Sequence, residues 1–250
     1  MNLLALDTTT DQLSVALTRD GQVWQYQGAG AAQASATLIP AIEALMAEAG
    51  LRYAQLEAIA FGSGPGAFTG LRTACAVAQG LAYGAGVPVL PVDSLLTVAE
   101  EARARHAPQA PALRVLAMLD ARMDELYAAP YLYADGRWQQ QAAFGVHAPE
   151  ALPAWDVDAL AGNVFASYGE RLRWPADLPR WSVLPLATAM LRLAPALLAQ
   201  GGAVRAEDAL PQYVRDKVAK TTEERLQERQ AQQPSTAPVV QASGPGPVAT

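Results

Sequence analysis

Residues 61–70 read FGSGPGAFTG, four glycines and a proline set between an apolar run and a helical pattern. So much bare backbone suits three uses. It can cradle a phosphate on peptide N–H groups, turn tightly so that a helix packs close to a sheet, or seat a helix that meets another protein. A lysine-dependent phosphate loop is excluded, because no lysine occurs between Met1 and Lys217 and such a loop needs one beside its last glycine. A dinucleotide fingerprint fits poorly as well. Pro65 stiffens the centre of the loop, and Asp93, the next acid to close a strand, lies too far downstream. What remains is a strand-to-helix turn at which Gly64, Gly66 and Thr69, with Asp7, Thr8 and Thr9 of the first turn, could contact an anion or nucleotide, or one that only connects.

The other reactive side chains are few. Asp7 and Asp120 each end an apolar run, and two such carboxylates could hold magnesium through water. The turn after the first acid presents the β-branched Thr9, and the turn after the second presents Arg122 and Met123. Side chains there obstruct the close backbone approach that a polyphosphate needs, which argues against ATP turnover. The two histidines, His106 and His147, sit in neither an H-x-x-x-H nor an H-E-x-x-H spacing, so a helical zinc or iron site has no ligands. Both are expected to face solvent. No G-x-S-x-G elbow occurs, and Cys75, within a run of small residues, reads as packing rather than as a nucleophile.

Bulk properties narrow the class. The chain has 250 residues, 51% of them hydrophobic, and a formal net charge of −6. An autonomous nucleic-acid binder would show a basic stripe instead. A single cysteine rules out an internal disulfide framework and suits a reducing compartment. The start, MNLLALDTTT, lacks the basic region of a signal peptide, and no apolar run reaches the ~18 residues of a membrane helix. A soluble, cytoplasmic protein is expected.

The elements that must position these residues follow from periodicity. NLLALD is a short buried strand, and LSVALTRDGQVWQYQ alternates around Asp20-Gly21, a hairpin signal. Over 35–49 the pattern turns helical, with Leu38, Ile42, Leu45 and Ala49 on one face, Gly50 as C-cap and Pro40 tolerated near the first turn. EAIAFGSG is the next strand, a second helix spans 68–84, VPVLPVD is a further strand, and Ser94 can cap a helix running to about Arg105. In the second helix Gly70, Ala74 and Ala78 recur every four residues, a smooth ridge flanked by Leu71 and Cys75. Such a ridge lets another element approach closely, whether the chain's own sheet or a partner.

HAPQAPALR marks a boundary, giving an N-terminal lobe over 1–106 and a smaller lobe over 107–200. The segment 201–221 is expected to pack back on the first lobe. Residues 222–250 are charged and then low in complexity, too poor in apolar residues to order themselves. An internal echo crosses the boundary: LDTTTDQL and LDARMDEL match at Leu, Asp, Asp and Leu, and each leads to a strand and an Asp-Gly turn, Asp20-Gly21 and Asp135-Gly136. Two such α/β halves predict a duplicated actin-like (ribonuclease H-like) fold with a cleft between lobes. The second lobe is reduced, since few helical residues fit between Trp138 and Ala161.

LALDTTTDQLSVAL, GSGPGAFTGLRTACAVAQGLA, LDARMDELY and PQYVRDKVAK together resemble the TsaB (YeaZ) family, over residues 1 to about 220. The resemblance implies a subunit without a catalytic or metal site of its own, in the machinery that forms N6-threonylcarbamoyladenosine in ANN-decoding tRNAs. The transfer is implied to belong to the paralogue TsaD, whose metal-holding H-x-x-x-H helix corresponds to residues 31–48 here, which contain no histidine. Ala34 stands where family members often carry one. TsaD is implied to dock on the first two helices, through Leu38, Ile42 and Leu45 of one and Gly70, Leu71, Ala74, Cys75 and Ala78 of the other. On this reading the glycine loop seats an interface helix. The ATPase TsaE would join the heterodimer, and tRNA would be met indirectly. ATP or ADP would bind only at an interface between chains, and a homodimer could form when the partner is absent. Arg215, Lys217 and Lys220 form the only notable basic cluster, either a solvated face or an RNA contact. Two enzymatic readings compete with this one: an actin-like small-molecule kinase and a glycoprotease-like metallopeptidase.

Overall fold

The computed structural model describes residues 1–30 and 34–214. The basic cluster at 215–220 and the low-complexity tail lie outside the described residues. The first half runs β1 (Leu3–Asp7), β2 (Gln12–Arg19), β3 (Gln22–Ala29), α1 (Ala34–Glu48), β4 (Ala58–Gly64), α2 (Phe68–Ala85), β5 (Val89–Asp93) and α3 (Ser94–His106). The second runs β6 (Ala112–Arg122), β7 (Glu125–Ala134), β8 (Arg137–Gln140), β9 (Gly145–His147), β10 (Ala159–Gly162), α4 (Phe165–Tyr168), β11 (Arg180–Ser182) and α5 (Ala187–Ala199).

The echo in the sequence is an echo of topology. One sheet is ordered β3-β2-β1-β4-β5 and the other β8-β7-β6-β10-β11, with β9 also pairing to β7. In each, the first two strands are antiparallel and the first is parallel to a later strand, β1 to β4 and β6 to β10. This is the duplicated actin-like fold. Both hairpins that follow turn through an Asp-Gly pair at positive φ, Asp20 (52°) with Gly21 (86°) and Asp135 (51°) with Gly136 (75°). That twist matches the strands it joins. The second half is pared down: β9 and a 3-10 turn over Pro149–Ala151 take the place of α1, and the four-residue α4 that of the 18-residue α2.

Strand alternation divides the first sheet into two buried faces. Leu4 and Leu6 of β1 pack with Leu38, Ile42 and Ala78 under α1 and α2. Leu3 and Ala5 point the other way, onto Met190 and Ala194 of α5. α3 lies on the second sheet, where Leu95, Val98 and Ala102 meet Val115, Ala117 and Leu119. Thus α5, late in the sequence, covers the first sheet and packs on α3, joining the halves.

Two local expectations need correction. α3 is capped by Asp93, not Ser94: its carboxylate accepts the Leu95 N–H (2.7 Å) and the Leu96 N–H (3.4 Å), while the Ser94 hydroxyl is buried without a partner. A carboxylate also suits the positive end of the helix better than a hydroxyl. Pro40 falls in the second turn of α1, where it leaves the Ala36 carbonyl without its helical donor; both residues are exposed, so water can serve.

Between α3 and α5 sits a buried ionic cluster. Glu100 accepts from Arg103 (2.9 Å), from the Trp138 indole (3.0 Å) and from Arg192 of α5 (2.8 Å). Glu101 pairs with Arg105 and Arg192. Burial alone would push Glu100 up, but these hydrogen bonds outweigh it and hold the carboxyl below its usual range. Its contribution is therefore present above the unfolded pKa and fades in acid, as Glu100 takes up a proton. Arg192→Ala leaves both carboxylates short of a donor. It is expected to destabilise the chain by about 2 kcal/mol at neutral pH and by less near pH ~4, as read by urea unfolding at the two pH values.

Candidate functional site

The glycine loop and the β1–β2 turn fill one another. A side chain at Gly62 would overlap the Asp7 carboxylate, and one at Gly70 would overlap the Thr8 carbonyl; at Gly66 it would lie 2.6 Å from the Thr9 Cβ. Hydrogen bonds tie the same parts together. The Thr8 hydroxyl donates to the Gly70 carbonyl (2.7 Å), and the Ala67 N–H donates to the Thr9 carbonyl (2.7 Å). Asp7 Oδ1 accepts from both the N–H (2.9 Å) and the hydroxyl (2.8 Å) of Thr9. Gly64, at φ +125°, meets the Gln212 carbonyl, whose own N–H donates to the Ser63 carbonyl (2.7 Å). The end of the described chain thus straps across the loop.

Of the residues expected to contact an anion, Asp7, Thr8 and Thr9 are at most 2% exposed and Gly64 is buried, while Gly66 is half-buried and Thr69 is exposed. A cavity of about 500 Å³ does open between the halves, lined by Gln12, Gln27, Arg105, Asn163, Phe165 and Ser182 among others. None of the expected anion contacts lines it. Asp120 lies on the opposite hairpin, where it accepts from Tyr168 (3.0 Å) and the Arg122 N–H (2.8 Å). Arg122 crosses to Asp11 at 2.8 Å, linking the two turns. Among the described residues no three His, Cys, Asp or Glu side chains come together. His106 is exposed and stacks on Trp181. His147 corrects its expectation: it is half-buried against Trp155, and burial lowers its pKa.

The helices named for a partner are present, but the named residues face inward. Leu38, Ile42 and Leu45 of α1, and Leu71, Ala74, Cys75 and Ala78 of α2, are buried in the chain's own core, and Gly70 is held against the β1–β2 turn. The four-residue ridge is how α2 sits on its own sheet. A second row of small residues, missed in the sequence, faces out: Ala76, Gly80 and Gly84 are exposed, between Arg72 and Tyr83. Among the described residues, nothing beyond the helix's own neighbouring backbone lies within 4 Å of a β-carbon placed at Gly80 or Gly84. Beside it α1 exposes Ala36, Ile39, Pro40, Ala44 and Ala47. The signal was in the flanks, since Leu71 and Cys75 mark the inner side and Arg72 the outer.

Known proteins share this architecture. A family model described as "TsaD: tRNA N6-adenosine threonylcarbamoyltransferase" matches residues 29–246. The chain is 34% identical over 229 residues to the tRNA threonylcarbamoyladenosine biosynthesis protein TsaB of Escherichia coli (strain K12), spanning 88% of this chain and 96% of that one. The chain belongs to the TsaB family. It is 33% identical over 232 residues to the TsaB protein of Haemophilus influenzae, across 87% of this chain and 95% of that one. Among solved structures, YeaZ from Pseudomonas aeruginosa superposes with a TM-score of 0.77 at 38% identity, over 85% of this chain and 99% of that one. This TsaB-family chain matches the transferase model while carrying only His106 and His147, neither of which stands in a paired helical spacing.

One titration reports on the packed turn. Burial pushes the Asp7 carboxyl up to about 7 from 3.8, against the two hydrogen bonds from Thr9, and its Oδ2 has no partner. Below both values the folded and unfolded chains are alike in charge here. Between them the folded chain keeps a proton that the unfolded chain has lost, so stability falls as pH rises, and the deficit is complete above the folded value. Asp7→Asn keeps the shape and removes the titration. The stability difference between wild type and Asp7→Asn is expected to widen by roughly 4 kcal/mol across that window, in urea unfolding followed against pH. Parallel curves would mean that Asp7 is hydrated.

Proposed function

We propose that this chain is a non-catalytic subunit in the formation of N6-threonylcarbamoyladenosine in ANN-decoding tRNAs, and that it holds the TsaD transferase against the outer faces of α1 and α2. The observation that carries the reading is the exposed row Ala76, Gly80 and Gly84. Glycine within a helix is destabilising by about 1 kcal/mol relative to alanine. Neither Gly80 nor Gly84 returns that loss through a close contact of its α-carbon face with the described residues. A smooth, uncharged helix face is what a second helix needs for close approach.

Membership of the TsaB family supplies the chemistry of the partner, because TsaB relatives carry the biosynthetic name and the transferase model extends over this chain. The kinase alternative is disfavoured by the turn that occupies its own phosphate position, and the peptidase alternative by its lack of a paired-histidine helix. In the assembly proposed, the ATPase TsaE docks on the heterodimer and any ATP or ADP lies between chains. With a net charge of −6, this chain leaves tRNA to its partners. A homodimer through the same face is the expected resting form when the transferase is absent.

Gly80→Arg tests the face without disturbing the core. The variant gains helix propensity worth up to about 1 kcal/mol, so its thermal stability is expected to hold or rise. Sedimentation with purified transferase should lose the 1:1 complex, and threonylcarbamoyl transfer to tRNA by the reconstituted subunits should fall at least tenfold. A complex that survives Gly80→Arg would remove the helix face from the interface. Ala74→Arg, by contrast, puts its charge into the core and is expected to unfold the chain.

A further inference from the structure

We infer that the strap over residues 209–213 is part of the partner-binding surface, with Leu210 and Tyr213 as its anchors; the inference rests on the helix-face reading above. α1 lies over β2 and β3, and α2 over β1, β4 and β5. On the far flank of α2 runs the strap, whose Ala209 carbonyl accepts from Gln79 (2.9 Å) and from the Cys75 thiol (3.5 Å) of that helix. The layer above this face of the sheet therefore reads α1, α2, strap.

Large exposed apolar side chains gather on that layer. Ile39 (43%) belongs to α1, Tyr83 (78%) to α2, and Leu210 (71%) and Tyr213 (50%) to the strap; among the described residues only Met1, Val23 and Met123 are comparable elsewhere. Tyr213 does not dangle. Its ring lies 5.4 Å from that of Phe68, its hydroxyl accepts from Arg72 Nε at 2.9 Å, and the Arg72 guanidinium sits 3.7 Å above the Phe68 ring. Arg72 begins the outward row that continues through Ala76, Gly80 and Gly84, so the aromatic and cationic cluster is continuous with the proposed face. A preordered Tyr–Arg pair has the composition of an interface hot spot, and the exposed Leu210 three residues before Tyr213 adds apolar area to bury.

Size points the same way. α1 has 15 residues and α2 has 18. At ~1.5 Å per residue and a spacing of ~10 Å, two such helices offer roughly 500 Å². A stable protein–protein interface takes about 800 Å² from each partner. The strap supplies adjoining area and the largest exposed side chains. The occupant is the protein that covers the helix face, the transferase, whose family model matches residues 29–246 of this chain and which therefore shares its fold class.

The test is sedimentation and calorimetric titration of the full-length chain with the purified transferase, comparing Leu210→Asp, Tyr213→Ala, Tyr213→Phe, Gly80→Arg and a control, Val23→Asp, whose side chain alternates with those of Trp24 and Tyr26 and so lies on the face of β3 turned away from α1. Expected are at least tenfold weaker binding for Leu210→Asp and Tyr213→Ala, a smaller loss for Tyr213→Phe, and no change for Val23→Asp, with thermal midpoints near wild type. Wild-type binding by both strap variants, while Gly80→Arg abolishes it, overturns the strap and leaves the helix face standing. Weakened binding in Leu210→Asp with none in Gly80→Arg keeps the strap and discards the helix face. No complex with the wild-type chain overturns both.

Discussion

The contact between Gly70 and the Thr8 carbonyl fixes more of this molecule than any other. α2 can begin only where its first turn presses on the β1–β2 turn, with the Thr8 hydroxyl reaching the Gly70 carbonyl. Once that end is pinned, the roll of the helix follows from ~100° per residue. Ala74, Ala78 and Ala82 come to lie on the sheet, and Ala76, Gly80 and Gly84 come out on the opposite side. The glycine-rich loop is thus a joint between two parts of one chain. It determines which of two small-residue rows is core and which is surface.

The same joint decides how much of the turn is open. A turn accepts a ligand when its backbone is bare and its N–H groups are free. Here the Ala67 N–H is spent on Thr9, and burial pushes the Asp7 carboxyl up to about 7. A desolvated carboxyl with one unpartnered oxygen is destabilising in itself. The surrounding hydrogen bonds and close packing compensate for it. Across the cleft the other hairpin is held by charge, through Arg122, Asp120 and Asp11.

Between the halves, polar and apolar contacts divide the work. Met190 and Ala194 of α5 give the first sheet its second apolar cover, while Arg192 on the same helix reaches Glu100 and Glu101 on α3. Asp93 adds a further link, capping α3 with one oxygen and accepting the buried Tyr131 hydroxyl from β7 with the other, at 2.5 Å. The reduced second half keeps the strands that carry these contacts and sheds the helices that would otherwise cover its outer side. The proposed docking layer of α1, α2 and strap lies wholly on the first half.

The sequence by itself determined the strands, the long helices, the two Asp-Gly hairpins and the duplication. Those rest on local periodicity and on turn chemistry that a few neighbouring residues settle. It also made the poverty of catalytic ligands legible, because a histidine that is absent cannot be supplied by folding. Only the tertiary structure decided which face of α2 is buried, whether Asp7, Thr8 and Thr9 are open to a ligand, and that Asp93 rather than Ser94 caps α3. Each depends on what packs against the residue from far along the chain. Gly70 and Gly80 are the same residue ten positions apart, on one helix. Thr8 lies over the first and none of the described residues lies over the second, and no pattern within the helix states that difference.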